Sequence, residues 1–390
     1  MNSATSRSWR IAILPGDGIG PEVIAEAVRA LETLNGQDGL RLELTELPWP
    51  ATAWHQQHGE MMPADWREQL GRFDALLLGA LGDPGPASDP GRYLLPDAIS
   101  LSPLLEIRKG FDQWACERPA TLLEGAPQYL ADPRARDELD MLVIRENSEG
   151  EYVGQGGRLR AGTPHEVATQ TEIFTRHGSE RIIRHAFERA RQRAAKRAPA
   201  REFTRDGRTV HAQVCLITKR NALRYWGEMY YEIFEQVGAE YPDIAMHHEL
   251  VDAACMKFVT APWQFDVVVA SNLQGDILTD LAAVLCGGMG IAPSCNINPA
   301  DRSHPPMFEP THGSAPDIAG QGLAGPGAML LTTALMLAWL GEEDPAAARA
   351  AERLRQAVAD DLAANGLQGR GTREIGDAVL EQLNRSPTEA

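Results

Sequence analysis

The segment FDVVVASNLQGDILTDLAAVLCGGMG, residues 265–290, decides the fold because a short polar stretch in it joins two apolar ones. FDVVVA (265–270) is the kind of apolar run that forms a parallel strand buried on both faces. Two carboxylates, Asp276 and Asp280, follow that strand four residues apart. The segment therefore predicts part of an α/β fold and raises the question of what these carboxylates do between buried segments.

Strands and helices alternate along the rest of the chain, which is typical of the α/β class. Apolar runs predict strands at 11–14, 73–81, 141–144 and 210–217, and helices over about 21–34, 182–190, 222–237 and from 326 onward. Segment 82–100 is rich in Gly, Pro and Asp and predicts a long loop. Segment 147–168 has many glycines without helical periodicity and predicts an extended arm or hairpin.

The composition disfavours several classes of partner. The 390 residues include 37 Lys+Arg and 54 Asp+Glu, a net charge of −17, which argues against nucleic acid and anionic membranes. The apolar stretch 328–340 is shorter than the roughly 20 residues that span a bilayer, so it predicts a buried helix. The N-terminal residues have no signal-peptide pattern. The five cysteines form no CxxC pair, and a reduced, cytoplasmic setting is expected.

Three aspartates are candidates for a metal site. Asp276 and Asp280, at i and i+4, lie on one face of the predicted helix, where they could share a cation. Asp252, in HELVDAACM, also stands among apolar residues. Carboxylate oxygens of this kind suit Mg²⁺. Acidic residues are also favoured in the first turn of a helix without any metal, and the spacing alone leaves that interpretation open.

Four basic residues could contact an acidic substrate. Arg145 and Lys219 each directly follow a predicted strand, at the sheet edge where open α/β folds bind ligands. Arg108, in LEIRKGFDQ, and Arg118, in CERPA, stand in comparable contexts. A guanidinium group binds carboxylates through two hydrogen bonds, and a lysine with a lowered pKa can act as a base. Each of the four could equally be an ordinary surface residue.

Two glycine-rich segments could bind a nucleotide. LPGDGIGPEV (14–23) lies between a strand and a helix, but its glycines do not have the GxGxxG spacing of a Rossmann turn. A tight strand-to-helix turn explains it equally well. MFEPTHGSAPDIAG (307–320) is a loop with many free backbone N–H groups, and it could wrap a nucleotide or form an ordinary connection.

Taken together and in this order, these segments resemble the β-decarboxylating dehydrogenases, which include isopropylmalate, isocitrate, homoisocitrate, tartrate and D-malate dehydrogenases. The resemblance covers nearly the whole chain and is most specific in IRENSEGEY (144–152), NLQGDILTDLAA (272–283) and FEPTHGSAPDIAG (308–320). It implies an isopropylmalate dehydrogenase-like α/β fold, with two interleaved domains that share a large mixed sheet and a NAD site unlike the Rossmann fold.

The resemblance also implies domain limits. A large NAD-binding domain would comprise residues 1–113 and 287–390. A small domain, 114–286, would carry the dimer interface and a clasp-like arm at about 147–170. In the family the active site forms across a homodimer, and the partner subunit contributes the lysine and the first of the metal aspartates.

Roles follow for individual residues that match the family's motifs. The matching positions are Arg108, Arg118, Arg145 and Leu104 for the substrate, Lys219 and Tyr152 for proton transfer, Asp252, Asp276 and Asp280 for Mg²⁺ or Mn²⁺, and Asn221, His312, Gly313, Ser314, Ala315 and Asp317 for NAD. NADP-dependent members have a lysine at the position of Asp317. A carboxylate there would repel the 2′-phosphate, so NAD is implied. Gly325 replaces the asparagine that usually lies beside the adenine.

The resemblance implies a substrate that is a 2-hydroxy dicarboxylic acid, oxidised and decarboxylated to a 2-keto acid. TEIFTRHG (171–178) and IAPSCNINP (291–299) are most similar to the tartrate/D-malate branch, which implies D-malate, tartrate or a 3-substituted malate. The alternative is 3-isopropylmalate, because PDAISLSPLLEIR (96–108) is closer to isopropylmalate dehydrogenases; an isocitrate-type enzyme is a weaker alternative. Arg220 and Gln274 depart from the tartrate pattern, and we hypothesise that Arg220 and Ser102 recognise a polar group at C3.

Two other classes of function are consistent with such a fold. A non-catalytic regulatory homologue would be expected to lose metal aspartates or the lysine, and this chain retains both. A dicarboxylate-binding protein without turnover would bind the same acids but produce no NADH, so an activity assay separates it from an enzyme.

Overall fold

The computed structural model describes residues 7–82, 95–197 and 200–385. Within these ranges the strands are β1 (Trp9–Gly16), β2 (Leu42–Glu46), β3 (Ala75–Ala80), β4 (Ala115–Thr121), β5 (Asp140–Glu146), β6 (Gly150–Leu159), β7 (Val167–Ile173), β8 (Phe203–Arg205), β9 (Arg208–Val210), β10 (Gln213–Thr218), β11 (Ala245–Leu250), β12 (Val267–Ala270), β13 (Cys295–Ile297) and β14 (Met307–Phe308). The alternation of these strands with helices confirms the α/β class.

The α-helices of the same ranges are α1 (Gly20–Leu34), α2 (Thr52–His58), α3 (Trp66–Leu70), α4 (Asp97–Ser100), α5 (Ser102–Gly110), α6 (Arg134–Glu138), α7 (Arg176–Lys196), α8 (Arg224–Gly238), α9 (Val251–Thr260), α10 (Asn272–Leu285), α11 (Gly327–Leu340), α12 (Pro345–Asn365) and α13 (Thr372–Asn384). Single turns of 3-10 helix lie at Gln37–Gly39, Pro262–Gln264 and Met289–Ile291.

The chain divides into two compact units. The first unit comprises residues 1–113, 121–136 and 283–390, and the second comprises 114–120 and 137–282. Segment 121–136 thus belongs to the first unit, whereas the predicted domain limits assigned it to the small domain. The roles given to the two predicted domains, NAD binding and dimerisation, stay predictions.

The first unit has a central set of five strands in the order β13, β14, β3, β1, β2. β1 pairs in parallel with β2 and β3, and β3 with β14, while β13 and β14 are antiparallel. All six residues of β3 are buried. Most residues of α11 are also buried, because its side chains are apolar on all faces. This confirms the buried helix predicted for 328–340.

The second unit has strands in the order β11, β10, β12, β5, β4. β10 is parallel to β11 and β12, and β12 is parallel to β5. The four residues of β12 are buried, as the opening apolar run predicts. Because the strands are parallel, their carboxyl ends meet at one edge, and Arg145, Lys219 and the start of α10 lie at that edge.

Two segments differ in how well the sequence predicted them. The predicted arm is an antiparallel hairpin of β6 and β7, which confirms that prediction. The predicted loop 82–100 is wrong at its carboxyl end, where Asp97–Ser100 forms α4. Pro96 is the residue before this short helix, and the loop-like composition around it concealed the helix. Residues 83–94 of the same prediction lie outside the described residues.

Two global properties concern the described residues alone. No helix among them is long and apolar enough to cross a membrane. None of the five cysteines is assigned to a disulfide, and hydrogen bonds, ion pairs and apolar packing stabilise these units.

Candidate functional site

Asp276 is the centre of a cluster of polar side chains in the second unit. It lies on α10, and its Oδ1 accepts hydrogen bonds from Nη1 of Arg145 and, at 3.3 Å, from Nη1 of Arg118. Its Oδ2 accepts from the Tyr152 hydroxyl at 3.1 Å. Residues from β4, β5, β6 and α10 thus converge on one carboxylate, as the motif resemblance implies.

Arg118 extends this cluster by one turn of α10. Its Nη1 donates to Oγ1 of Thr279 at 2.6 Å and lies 3.6 Å from Oδ1 of Asp280. Burial raises the pKa of the Asp280 carboxyl; Arg118 opposes this shift, and the nearby Asp276 charge adds to it. Two carboxylates on one face of a helix form a site that a bound cation would stabilise.

Arg145 is fixed before any ligand is bound. Its side chain is only 4% exposed, and Nε and Nη2 donate to Oδ1 of Asn272 at 3.0 and 2.7 Å. Its guanidinium carbon lies 5.3 Å from the centre of the Tyr152 ring. Burial, followed by the Asp276 charge, raises the pKa of the Tyr152 phenol. The phenol therefore keeps its proton at neutral pH and is suited to donate it.

Arg108 and Leu104 lie on α5 in the first unit. Nη2 of Arg108 donates to Oε1 of Glu309 at 2.6 Å, and both side chains are buried. Nδ2 of Asn296 donates to the same oxygen at 2.8 Å, so this arginine is held rigidly. Leu104 is partly buried against the apolar cluster of this unit, which makes it a packing residue on its inner side.

Lys219 and Asp252 form a separate pair. Nζ of Lys219 donates to Oδ1 of Asp252 at 2.6 Å, and their side chains are 30% and 66% exposed. The hydrogen bond from Lys219 lowers the pKa of the Asp252 carboxyl. Lys219 follows β10 and Asp252 lies in the first turn of α9, so two neighbouring strand ends place the pair.

The predicted metal site can be judged by which donor atoms the structure brings together. Asp276 and Asp280 offer carboxylate oxygens from one helix face, which fits a hard divalent cation. Among the described residues, no group of three or more His, Cys, Asp or Glu side chains is placed to hold a metal ion. Asp252 therefore does not join Asp276 and Asp280 within this part of the chain. Its role as a metal ligand stays a prediction that requires a second copy.

The loop predicted to bind NAD packs against the N-terminal glycine turn. The backbone N–H of Ile19 donates to the Ser314 carbonyl at 2.9 Å. A Cβ on Gly18 would lie 2.0 Å from that carbonyl oxygen, and Gly18 has a φ of +60°. Glycine is required there for both reasons. The glycine turn thus supports the loop from behind, which explains why its spacing differs from that of a Rossmann turn.

Within the loop, one ring nitrogen of His312 has no hydrogen-bond partner among the described residues. Its Nδ1 lies 3.1 Å from the Gly313 carbonyl oxygen, while its Nε2 is buried and has no partner among the described residues. Burial lowers the pKa of the imidazole, so the ring is neutral. With Nδ1 donating to the carbonyl, Nε2 is an acceptor suited to an N–H or O–H group of a nucleotide.

Three of the four remaining predicted NAD residues are exposed. Ala315 has a φ of +40°, which bends the backbone after Ser314. Gly313 and Asp317 are exposed, and Asn221 is exposed in the turn that follows Lys219. These positions are compatible with a nucleotide lying over the loop, and the individual contacts stay predictions.

Sequence reasoning missed three residues that hold the predicted ones in place. Asn272 and Thr279 contact Arg145 and Arg118, and Glu309 contacts Arg108. Asn272 and Thr279 could have been found, because they stand one turn from Asp276 on the same helix. Glu309 gave no local signal, since it meets Arg108 only through the fold.

Arg220 does not behave as the hypothesis of a polar C3 pocket requires. Its guanidinium carbon lies 3.8 Å from the centre of the Tyr231 ring, and its Nη1 is 3.6 Å from Oε2 of Glu228. A guanidinium that stacks on an aromatic ring and has a carboxylate partner is already engaged. This arrangement argues against Arg220 as a substrate ligand.

Comparisons with known proteins agree with this arrangement. Residues 10–379 match the family described as isocitrate/isopropylmalate dehydrogenase. A 3-isopropylmalate dehydrogenase of Thermobifida fusca is 44% identical over 381 residues, which is 97% of this chain and 99% of that protein. A 3-isopropylmalate dehydrogenase of Streptomyces griseus is also 44% identical, over 97% of this chain and 99% of its own.

A solved structure confirms the predicted fold. The crystal structure of isocitrate dehydrogenase from Methylococcus capsulatus is similar with a TM-score of 0.78 and 31% identity, covering 97% of this chain and 100% of that one. The isopropylmalate dehydrogenase-like fold that the motifs implied is therefore correct.

Proposed function

The chain belongs to the isocitrate/isopropylmalate dehydrogenase family, and we propose that its substrate is 3-isopropylmalate, oxidised at C2 and decarboxylated to a 2-keto acid. The protein is an NAD-dependent decarboxylating dehydrogenase that uses a divalent metal such as Mg²⁺ or Mn²⁺. The tartrate/D-malate assignment is not supported by the named relatives, whereas the alternative, 3-isopropylmalate, has their support.

Apolar side chains beside Arg108 favour a substrate with a branched alkyl group. Leu101 and Leu105 are each 37% exposed and stand four residues apart at the start of α5, so they share a face. Leu105 is three residues before Arg108. An alkyl group at C3 would cover these leucines, whereas malate and tartrate have only hydrogen or hydroxyl there. This exposed pair is the structural observation that carries the choice of substrate.

The three arginines would bind the two carboxylates of the substrate. Arg118 and Arg145 now pair with Asp276 and Asp280, so opposite charges already neutralise each other. A substrate carboxylate would replace the aspartates as the partner of the arginines. The aspartate oxygens would then be free to hold the cation, which links substrate binding to metal binding.

Lys219 and Tyr152 would carry out the proton transfers. When bound, the divalent cation lowers the pKa of the C2 hydroxyl and the nicotinamide accepts a hydride. Lys219, directly or through water, would take the hydroxyl proton. Oxidation at C2 makes the C3 carboxylate a β-keto carboxylate, which leaves as CO2. Tyr152, still protonated at neutral pH, would donate a proton to C3.

We further propose a homodimer in which each site uses groups of both subunits. The β6–β7 hairpin is largely exposed, and every residue of β7 is exposed; an isolated two-stranded hairpin is marginally stable in water. Apolar residues also point outward from α9 and α10, namely Met256 at 67%, Val259 at 47% and Ile277 at 54% exposure. A second copy of the chain is the occupant that would complete the metal site by bringing Asp252.

The substrate is tested by NADH absorbance with Mn²⁺ and a panel of 3-isopropylmalate, D-malate, tartrate and isocitrate. We expect the highest kcat/KM for 3-isopropylmalate. Leu105→Ser should reduce that value by about 10-fold to 50-fold, since about 0.8 kcal/mol is lost per buried CH₂ group. D-malate is the internal control and should be little affected. A preference for D-malate or tartrate in the wild type would overturn the proposal.

The dimer is tested by light scattering during size-exclusion chromatography. The wild-type chain should elute with twice its mass of 42.6 kDa. Ile277→Glu should give a monomer, because it places a charge in the apolar surface, while Leu323→Glu, at an exposed leucine of the first unit, serves as the control. A monomeric wild type would contradict the proposed dimer.

A further inference from the structure

The side chain of Glu151 contacts the start of α10, the helix that carries Asp276 and Asp280. Its Oε1 accepts a hydrogen bond from Oγ of Ser271 at 2.7 Å. Its Oε2 accepts from the backbone N–H of Leu273 at 3.0 Å. Glu151 belongs to β6, so a carboxylate from another element binds the first turn of this helix.

This contact has a clear physical reason. The first N–H groups of a helix have no partner inside it and carry partial positive charge, so a carboxylate stabilises them. Oγ of Ser271 accepts from the N–H of Gln274 at 3.4 Å while its proton is directed to Glu151. The carboxylate thus fixes the hydroxyl as well as Leu273, and three groups of the first turn are held together.

The residue after Glu151 is the predicted proton donor, Tyr152. The pairing of β6 with β7 is interrupted between Gly150 and Gln155, and such an irregularity changes the direction of side chains. Two successive side chains therefore reach the same helix, Glu151 at its first turn and Tyr152 at Asp276 in the second turn.

A second link joins the same two segments. Nδ2 of Asn272 donates to the Glu149 carbonyl at 3.0 Å, and its Oδ1 accepts from Arg145. The motif 145–152 is thus attached to α10 through side chains at both ends. Only the Glu151 end is independent of the arginines that would bind substrate.

We propose that Glu151 is a positioning residue, which sets the orientation of the first turn of α10 and thereby the placement of Asp276 relative to Tyr152. It contacts neither the carboxylates of the cluster nor the predicted substrate groups in the hydrogen bonds described above. The inference rests on the proposed function of Asp276 and Asp280 as metal ligands.

The test is Mn²⁺ binding to the full-length protein in the presence of 3-isopropylmalate and without NAD, measured by calorimetry, together with kinetics. Residues that orient metal ligands typically contribute about 10-fold to 100-fold to metal affinity or activity. Glu151→Ala should weaken Mn²⁺ binding and reduce kcat by this factor. KM for NAD should stay unchanged, because the predicted NAD loop belongs to the first unit. Glu151→Gln, which keeps one acceptor oxygen, should show a smaller loss of the same kind.

Glu149 provides a matched control within the same motif. Its carboxylate also accepts from one backbone N–H and one hydroxyl, those of Thr175 at 2.9 and 2.7 Å, at the start of α7. Glu149→Ala should lower the midpoint of thermal unfolding about as much as Glu151→Ala does, but leave Mn²⁺ affinity and kcat near the wild-type values.

Two results would overturn the inference. The first is that Glu151→Ala binds Mn²⁺ as tightly as the wild-type protein does. The second is that Glu151→Ala and Glu149→Ala lose Mn²⁺ affinity to the same extent. The second result would show that a lost helix cap, and not placement of Asp276, causes the defect. Failure of the wild-type protein to bind Mn²⁺ would instead contradict the proposed function, so the two failures are distinguishable.

Discussion

Asp276 and Asp252 are both predicted metal ligands, yet their surroundings differ. Asp276 accepts hydrogen bonds from Arg118, Arg145 and Tyr152, and its side chain is 33% exposed. Asp252 has Lys219 as its ion-pair partner and is 66% exposed. One carboxylate belongs to a convergent cluster, while the other belongs to an exposed pair at a different strand end.

The difference indicates which parts of the site a single chain can assemble. The Asp276 cluster is held by buried side chains, so it is ordered before ligands bind. The Lys219–Asp252 pair has no such support from the described residues that contact it, and the proposed second copy would give it a defined geometry. We therefore expect substitutions in the cluster to alter both stability and activity, and substitutions in the pair to alter activity alone.

The largest effect is expected for Asp276→Asn. Loss of this proposed metal ligand should reduce Mn²⁺-dependent turnover at least about 1000-fold, since a catalytic cation contributes several kcal/mol. Asparagine keeps one acceptor for the arginines, so the fold and dimer should persist. Steady-state NADH kinetics, with circular dichroism as the folding control, measure this. Turnover within 10-fold of wild type would remove Asp276 from the metal site.

Lys219→Ala should have the next largest effect on turnover. Removal of the proposed general base should reduce kcat about 100-fold to 1000-fold. The free energy of unfolding should stay within about 0.5 kcal/mol of wild type, because the side chain is partly exposed. Chemical denaturation and kinetics on the same sample test both statements. A marked loss of stability would contradict the distinction between the cluster and the pair.

Glu117 tests how rigidly the cluster is supported, because it precedes Arg118 on β4. Burial alone would raise its pKa, but Arg189 and His185 outweigh burial and lower the pKa to about 2. A carboxyl with a lowered folded-state pKa stabilises the protein above its unfolded pKa, and that stabilisation is lost as pH falls through the folded value. Glu117→Gln should therefore destabilise the protein at pH 7 by on the order of 3 kcal/mol.

The pH dependence distinguishes this contribution from simple packing. The difference in unfolding free energy between wild type and Glu117→Gln should shrink as pH falls from about 4.5 toward 2. Asp252→Asn is the control from the exposed pair and should give a much smaller difference, because solvent screens the ion pair of an exposed carboxylate. A Glu117→Gln effect that is independent of pH would show that charge is not what stabilises this part of β4.

The sequence predicted the parts of the molecule that depend on local pattern. The apolar run 265–270 predicted a buried strand, and i, i+4 spacing placed Asp276 and Asp280 on one helix face. The contacts of Arg108 with Glu309 and of Gly18 with Ser314 were not predictable. Each contact joins segments that are far apart in the chain. No local sequence pattern around Arg108 or Gly18 predicts which residue it contacts.

The choice of substrate was likewise not predictable from local sequence patterns. Motif similarity pointed to the tartrate/D-malate branch, because the matching segments serve chemistry that the whole family shares. Two features favour 3-isopropylmalate: the overall relatives, and two exposed leucines, Leu101 just before α5 and Leu105 on it. The exposure of a particular leucine becomes visible only in the folded chain.

Subunit complementation tests the central claim most directly, namely that the Asp276 cluster and the Lys219–Asp252 pair act together across a dimer. Lys219→Ala and Asp276→Asn protomers, each inactive alone, are mixed, unfolded and refolded together. Half of the randomly paired dimers are mixed and each has one intact site, so activity should return to about one quarter of wild type. If the mixture stays as inactive as its parents while light scattering shows mixed dimers, the two regions do not form a shared site.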